Sequence, residues 1–263
     1  MSKISWTDQT WNPVVGCTKC SPGCLNCYAE KMAVRLYCIS HAKKGKSTLD
    51  KYGTVIDRGQ WNGKIYCDES ALDKPLHWKK PRKIFVCSMG DLFHPGVPFG
   101  FIHQVWGVMK ACPQHTFQIL TKRPKIMMEC VSRVYSLERF GWAKGFWSHV
   151  KLGVSISTQK EAYEKLPILA KIPAAYKFVS FEPLLERIHV MPKQWDGIDG
   201  VIIGAESKGR AAGRLCDNEW VWELAEEATL DGLDIHIKQL HINGKLVKDK
   251  NKFPPDLQIQ DEI

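Results

Sequence analysis

Four of the chain's ten cysteines lie close together near the N-terminus, at Cys17, Cys20, Cys24 and Cys27. Pro22 and Gly23 lie between them, and both are turn formers that let a backbone wrap so that several sulfurs converge. A helical pattern begins at Tyr28, directly after the last of the four. Thiolates at this density are ligands for zinc or for iron. We therefore expect a metal centre on a loop that a helix anchors.

The spacing C-x2-C-x3-C-x2-C fits two kinds of metal centre. Four thiolates can close a tetrahedral zinc site, but structural zinc usually takes its two cysteine pairs from turns about a dozen or more residues apart. Here the two pairs are nearly fused. Starting at Cys20, the run becomes C-x3-C-x2-C, in which three thiolates can hold three irons of a [4Fe-4S] cluster and leave the fourth open. An open iron implies chemistry on a substrate or cofactor.

The C-x3-C-x2-C spacing is also the signature of radical S-adenosylmethionine (SAM) enzymes, and with its surroundings the chain resembles a phage-associated branch of radical-SAM-like proteins. The segments that carry this resemblance span most of the chain: 4–8 (ISWTD), 11–13 (WNP), 16–17 (GC), 21–24 (SPGC), 27–30 (CYAE), 88–94 (SMGDLFH), 120–124 (LTKRP), 152–155 (LGVS), 180–184 (SFEPL), 203–207 (IGAES) and 238–239 (KQ). Residues after about 240 lie outside it.

The resemblance implies a [4Fe-4S] cluster and SAM, whose reductive cleavage yields a 5′-deoxyadenosyl radical. Cys24 and Cys27 would be two of the ligands, and the first ligand is either Cys17 or Cys20. The implied substrate is a nucleobase in DNA or a nucleotide, most specifically a thymidine modified with an amino acid, such as glycinyl-thymidine, isomerised during phage DNA hypermodification. An external donor such as flavodoxin would supply electrons. Repair of DNA bases, RNA modification and a non-catalytic four-cysteine zinc protein that binds nucleic acid are the alternatives.

Composition favours a globular protein with an anionic partner. The 263 residues are 44% hydrophobic and carry a formal net charge of +9, which favours nucleic acid, although solvated helix faces give the same balance. No run of about 18 apolar residues and no signal-peptide core occur, so we expect a cytoplasmic protein outside the membrane. The other six cysteines are scattered among the expected strands and helices, which favours free thiols in a reducing compartment.

Short apolar runs alternate with helical periodicity along the chain. Strands are expected at 10–16, 83–88, 116–121, 150–156, 176–181, 200–204 and 234–238, and helices at 29–42, 101–112, 125–140, 159–171 and 217–231. This alternation predicts an α/β fold with parallel strands, as a partial or complete TIM-like (β/α) barrel over 1–240. A basic, aperiodic insertion at about 43–83 is expected to contact substrate, and the tail 241–263 to be a peripheral cover or partly disordered.

Polar residues follow the expected strands, and the carboxyl ends of parallel strands meet at one face. The resemblance places Ser88, Met89, Gly90 and Asp91 at the amino group of SAM. Lys122 or Arg123 would pair with its carboxylate, Ser155 or Ser157 with its ribose, and Gly204 and Ala205 with its adenine. Glu182 and Glu206, at corresponding strand ends, are candidates for proton transfer or substrate binding. Taken singly, several of these residues also fit plain turns, helix starts or caps.

Overall fold

The protein is built on one eight-stranded sheet. The computed structural model describes residues 4–42, 49–137, 147–208 and 211–263. The strands are β1 (Gln9–Trp11), β2 (Lys83–Val86), β3 (Thr116–Thr121), β4 (Val150–Ile156), β5 (Tyr176–Phe181), β6 (Gly200–Gly204), β7 (Asp234–Ile242) and β8 (Lys245–Val247). Strands β1 to β7 pair in parallel in chain order, and β8 joins β7 antiparallel. The expected α/β fold with a mostly parallel sheet is thereby confirmed.

Helices connect most of the parallel strands. They are α1 (Tyr28–Ala42), α2 (Lys51–Val55), α3 (Phe99–Lys110), α4 (Pro124–Leu137), α5 (Gln159–Lys171) and α6 (Asn218–Leu230). Caps fix two of the starts: the Thr158 side chain accepts from the Glu161 amide before α5, and the Asp217 side chain accepts from the Glu219 amide before α6. The five longer helices confirm the periodicity of the sequence, and the part of the fourth expected helix beyond Leu137 lies outside the described residues.

The sheet is curved, so that strands far apart in it share an inner apolar cluster. All five residues of β6 are buried, as expected for a parallel strand covered on both faces. On the inner face the Trp6 ring lies 4.8 Å from that of Phe85 in β2 and 6.2 Å from that of Phe178 in β5. Ile202 and Ile263 belong to the same cluster. Only a concave sheet lets β2 and β5, three positions apart, pack on one side chain.

The prediction of one first strand over 10–16 is wrong. Residues Gln9–Trp11 join the main sheet, whereas Val14–Val15 pair antiparallel with Tyr66–Cys67 of the insertion. Pro13 separates the two pieces, and its missing N–H cannot continue a ladder. The break turns the chain out of the sheet just before the cysteines. The rest of the insertion adds α2 and a hairpin of Ile56–Asp57 with Gln60–Trp61, so its described part is more regular than predicted.

The tail packs against the main sheet. The amide of Ile237 in β7 donates to the Ile259 carbonyl (3.1 Å) and the Asp261 amide donates to the Ile235 carbonyl (2.8 Å). Phe253, Leu257 and Ile263 are buried. Among the described residues, no helix combines the length and the apolar character that crossing a bilayer requires.

Candidate functional site

A cavity of about 190 Å³ lies at the carboxyl ends of the parallel strands. This volume is more than ten times the roughly 10–15 Å³ that one water needs, so the cavity has room for a ligand. All four cysteines of the loop 17–27 line it. Eight of the predicted cofactor and catalytic residues line it too: Ser88, Gly90, Asp91, Lys122, Arg123, Ser155, Glu182 and Glu206. The curvature of the sheet thus brings residues from five strand ends and the loop together.

A short 3-10 helix, Pro22–Cys24, shapes the cysteine loop. The Ser21 hydroxyl accepts a hydrogen bond from the Gly23 amide (3.1 Å) at its start, and Cys24 ends it as a buried side chain. Gly23 lies tightly against the strand ends, because a Cβ there would lie 2.3 Å from the Ser157 Oγ. Glycine is required at this point for close approach to the sheet.

The loop thiols differ in acidity. A hydrogen bond from Cys20 lowers the pKa of Cys24 to about 5, against the effect of burial and with help from the nearby charge of Lys122. The same hydrogen bond, together with burial, raises the pKa of Cys20. Burial and the neighbouring Asp91 carboxylate raise the pKa of Cys17 to about 11, although Arg123 opposes them. The shared hydrogen bond therefore favours a thiolate at Cys24 over one at Cys20.

A buried ion pair holds the first half of the loop. Arg123 Nη1 lies 2.7 Å from Asp91 Oδ2 and 3.8 Å from the Cys17 sulfur. Its Nη2 donates to the Thr18 carbonyl (2.9 Å). Asp91 is fixed in turn by the Thr121 hydroxyl, 2.7 Å from Oδ1. Arg123 is thus committed to the loop and to Asp91, and its guanidinium fork matches this set of acceptors.

Glu206 holds the second half of the cysteine loop. Its Oε2 accepts from Asn26 Nδ2 (2.9 Å) and from the backbone N–H (2.8 Å) and Nε (3.0 Å) of Arg214, and its Oε1 accepts from Arg214 Nη2. Burial alone would raise the pKa of Glu206, but the bonds from Arg214 and Asn26 outweigh burial and lower the pKa to about 2. Glu206 therefore stays ionised at any physiological pH.

The opposite wall of the cavity carries a cation and an ion pair. Lys122 Nζ donates to the Ser155 hydroxyl (2.5 Å), and Ser155 donates to the Glu182 carbonyl (3.0 Å). Glu182 Oε1 forms an ion pair with Lys238 Nζ and accepts from Gln239. Within the described ranges Lys122 has no carboxylate within ion-pair distance, whereas Arg123 and Lys238 each have one. Lys122 is the cavity cation most available to an anionic group.

Four of the predicted site residues do not line the cavity. Met89 packs in an apolar cluster with Val15 and Ala29, under the loop. Ser157 is fully buried against Gly23, and its hydroxyl has no hydrogen-bond partner within the described residues. Gly204 and Ala205 are fully buried strand-end backbone: the Gly204 carbonyl accepts from the Leu184 amide, and the Ala205 carbonyl accepts from the Gln239 side chain.

Sequence reasoning missed two residues that hold the loop, Asn26 and Arg214. No spacing rule marks them, because their partners lie 180 and 192 residues away in the chain. It also gave no site role to Thr121, which fixes Asp91, or to Lys238, which pairs with Glu182. A signal for these two existed, since each is a polar residue at the carboxyl end of a predicted strand.

The cysteines suit a cluster in donor type. Within the residues that the structure describes, no three Cys, His, Asp or Glu side chains are arranged to hold a single metal ion. An iron–sulfur cluster distributes its thiolates over separate irons and so does not need them all around one ion. Four cysteines on one cavity wall, one of them acidic, provide the soft ligands that such a cluster takes.

Comparison with known proteins gives a family. The profile described as "Protein of unknown function (DUF5131)" matches residues 1–253. The chain belongs to the DUF5131 family. The match covers the sheet, the cysteine loop and the cavity of this family member. No curated protein and no solved structure gives a significant match to it.

Proposed function

We propose that this DUF5131 protein is a radical SAM enzyme that binds a [4Fe-4S] cluster on the loop 17–27 and acts on a nucleobase. The observation that carries the proposal is that all four loop cysteines line the same cavity as Asp91, Lys122 and Glu182. Closely spaced thiolates on one loop, next to groups that can hold a polar cofactor, suit a cluster with an open iron. The cavity combines these two features.

We propose further that the curved sheet and its helices form a partial TIM-like (β/α) barrel. The chain order of seven parallel strands supports it, since each strand follows its predecessor around the sheet. A second support is the contact between Asn26, on the loop after β1, and Glu206, after β6. These loops meet only if the sheet curls toward closure. Such a curl gathers strand-end residues at one mouth, where (β/α) barrels carry their active sites.

When bound, a [4Fe-4S] cluster and SAM would supply one-electron radical chemistry at an unactivated carbon of the substrate, with the electron coming from an external donor such as flavodoxin. The protein's own residues bind and orient SAM and the substrate. Of the two cations expected at the SAM carboxylate, Lys122 takes that role, because Arg123 is engaged by Asp91 and Thr18. Ser155 positions the Lys122 ammonium, and Ser88 and Gly90 also line the cavity.

The proposed substrate is a modified thymidine in DNA, most specifically glycinyl-thymidine, with Glu182 and Lys238 as its polar contacts. Their ion pair offers both an acceptor and a cation on one cavity wall, which matches the amine and carboxylate of an amino-acid substituent. Trp61 lines the cavity, and the exposed Lys64, three residues further on, has its backbone carbonyl against Gly16, next to the cysteine loop. An aromatic ring and a cation on one short segment suit a base and its phosphate.

The cofactor half of the proposal is tested by anaerobic reconstitution of the full chain with iron and sulfide. Expected results are about four irons per chain, a cluster absorption spectrum, and 5′-deoxyadenosine after adding SAM and a reductant. The matched control is the double variant Cys24→Ser/Cys27→Ser, which should yield none of the three. A fully reconstituted wild-type protein that never forms 5′-deoxyadenosine contradicts the proposal.

The substrate half needs a separate assay. The reconstituted enzyme is incubated with SAM and either DNA containing glycinyl-thymidine or the free modified nucleoside, and products are read by nucleoside mass spectrometry. An isomer of unchanged mass from the DNA supports the proposal. If only the free nucleoside is converted, the substrate is a nucleotide and not DNA. If only damaged DNA or RNA is converted, glycinyl-thymidine is not the substrate, and the enzyme repairs DNA bases or modifies RNA. The reducing cytoplasm is the proposed compartment, since cluster and thiols persist there.

A zinc protein that binds nucleic acid without catalysis is the second candidate. The observation in its favour is the number of loop cysteines, because four thiolates are one more than a cluster with an open iron takes. Metal analysis after anaerobic purification separates the two candidates. One zinc and no iron per chain would support the zinc protein and remove the radical chemistry.

A further inference from the structure

The carboxylate of Glu206 is engaged mainly by the protein itself. A carboxylate offers about four lone-pair sites, and here the protein donates four hydrogen bonds: Oε2 accepts one from Asn26 and two from Arg214, and Oε1 accepts one from Arg214. A group that contacts substrate or moves a proton needs a free site at neutral pH. Glu206 lines the cavity, but its oxygens are occupied by the protein itself.

The groups bound to Glu206 belong to the cysteine loop. Asn26 directly precedes Cys27, and Arg214 reaches past Glu206 to donate from Nη2 to the Pro22 carbonyl (3.0 Å), two residues before Cys24. The carboxylate therefore connects to the loop on both sides of Cys24. The two links are independent, one through an amide side chain and one through a guanidinium.

The backbone of Glu206 is anchored to the rest of the fold. Its carbonyl accepts from the Gly213 amide (3.1 Å) and lies 3.1 Å from His241 Nε2 in β7. A Cβ at Gly213 would lie 2.6 Å from Glu206 Cγ, so the turn that brings Arg214 back needs a residue without a side chain there. Glu206 is thus fixed before it meets the loop, which is what a positioning group requires.

We propose that Glu206 is a positioning residue: with Arg214 and Asn26 it holds the segment 22–27 against the end of β6 and so sets where the sulfurs of Cys24 and Cys27 stand. This rests on the proposed function only in treating those sulfurs as cluster ligands. Glu182, at the corresponding strand end, keeps the substrate-facing role, because its ion pair faces the cavity and does not bind the loop.

The test uses metal-free full-length protein, so it does not depend on a cluster. Wild type, Glu206→Gln and Asn26→Ala are treated with N-ethylmaleimide, and each cysteine is followed by peptide mass spectrometry. Loss of hydrogen bonds to a charged group should speed alkylation of Cys24 and Cys27 about tenfold or more, because the loop opens more often. Cys112 and Cys130, buried elsewhere, should keep their rates.

The matched control is Glu227→Gln. Glu227 also binds one side chain and one backbone amide, His189 Nδ1 (2.9 Å) and the Val190 N–H (2.9 Å), but it holds a segment far from the loop in the chain. Glu227→Gln should leave the alkylation rates of Cys24 and Cys27 unchanged. A protein in which Glu206→Gln and Asn26→Ala both alkylate at wild-type rates overturns the proposal. If Glu206→Gln exposes all the buried cysteines through global unfolding, Asn26→Ala decides, since it removes a single contact of a half-buried side chain.

A second readout separates positioning from general stability. After anaerobic iron loading, the reduced cluster of Asn26→Ala should give a shifted electron paramagnetic resonance spectrum, while Glu227→Gln gives the wild-type spectrum. An unshifted Asn26→Ala spectrum would contradict a role at the cluster. Wild-type protein that binds no iron, yet shows the selective alkylation in its variants, would refute the proposed function and leave the positioning role of Glu206 intact.

Discussion

The two ends of the curved sheet use the same strands in opposite ways. At the amino end the inner face is filled by Trp6, Phe85, Phe178 and Ile202, with Ile263 of the tail packed among them. At the carboxyl end the strands stop in charged and hydroxyl side chains around a cavity, which Trp6 and Phe85 of this cluster also line. One end therefore buries apolar area, and the other keeps space and polar groups.

This difference separates the residues that stabilise the fold from the residues that form the site. Apolar packing at the amino end contributes folding free energy without needing any ligand. At the carboxyl end nearly every charge is bound to another part of the site, as with Asp91 to Arg123 and Glu206 to Arg214. Those pairs fix the loop in one arrangement, while their net contribution to stability is reduced by desolvation. Substitutions at the two ends should therefore affect different measurements.

The largest effect is expected from the cysteine loop. Cys24→Ser and Cys27→Ser should each abolish binding of the cluster, because a serine hydroxyl does not replace a thiolate on iron. Iron and sulfide analysis after anaerobic reconstitution measures this. Cys38→Ser, at an exposed position of α1, is the control and should bind iron normally. Cys17→Ser and Cys20→Ser then identify the first ligand, since only the variant of the ligand loses iron. Full iron in both Cys24→Ser and Cys27→Ser would refute the loop as the metal site.

At the amino end, Phe178→Ala should lower the free energy of unfolding by about 3–5 kcal/mol, because it leaves a cavity among fully buried rings. Urea denaturation measures the loss. The loop cysteines of the folded variant should alkylate at wild-type rates. Tyr163→Ala, at an exposed position of α5, is the control and should change the free energy little. Selective exposure of Cys24 in Phe178→Ala would mean that the two ends are coupled.

At the carboxyl end, Lys122→Met should weaken SAM binding by about tenfold to a hundredfold, since it removes the cation proposed at the carboxylate. Equilibrium dialysis with the reconstituted protein measures the affinity. The melting temperature should change little, because Lys122 forms no ion pair with a carboxylate in the described part of the chain. Lys160→Met, on the exposed surface of α5, serves as control. Unaltered SAM affinity in Lys122→Met would move the carboxylate contact elsewhere.

The smallest effect concerns pH. The pKa of Glu206 falls from 4.5 to about 2 on folding, so its ionised form stabilises the fold at pH values above about 4.5. That contribution is lost as pH falls toward about 2. The difference in free energy of unfolding between wild type and Glu206→Gln should therefore be constant near neutral pH and shrink below about 4.5. Urea titrations at several pH values measure it. A difference that grows on acidification would contradict the assigned hydrogen bonds.

Much of the fold could be predicted because its signals are local. The apolar runs of β2 to β7 and the periodicity of the longer helices arise from side chains within one element, and they locate those elements correctly. The prediction of one continuous first strand failed because Pro13 ends the ladder. The partner of Val14–Val15 lies in the insertion, far along the chain. Pairing with a distant segment leaves no mark on the strand itself.

The site was predicted less completely, for a related reason. Ser155 and Ser157 are equivalent in sequence, yet β4 ends at Ile156, so Ser155 reaches the cavity and Ser157 turns under Gly23. Glu182 and Glu206 are equally matched strand-end carboxylates. They differ because Arg214, eight residues further on, binds Glu206, while Lys238 of β7 meets Glu182.

The sequence by itself determined the spacing of the four cysteines, the alternation of strands and helices, and the polar residues at strand ends, because turn chemistry and hydrophobic periodicity act over a few residues. Only the tertiary structure decided which strand-end groups face the cavity and which hold the loop. Those roles depend on partners such as Asn26 and Glu206, 180 residues apart, which meet because the sheet curves.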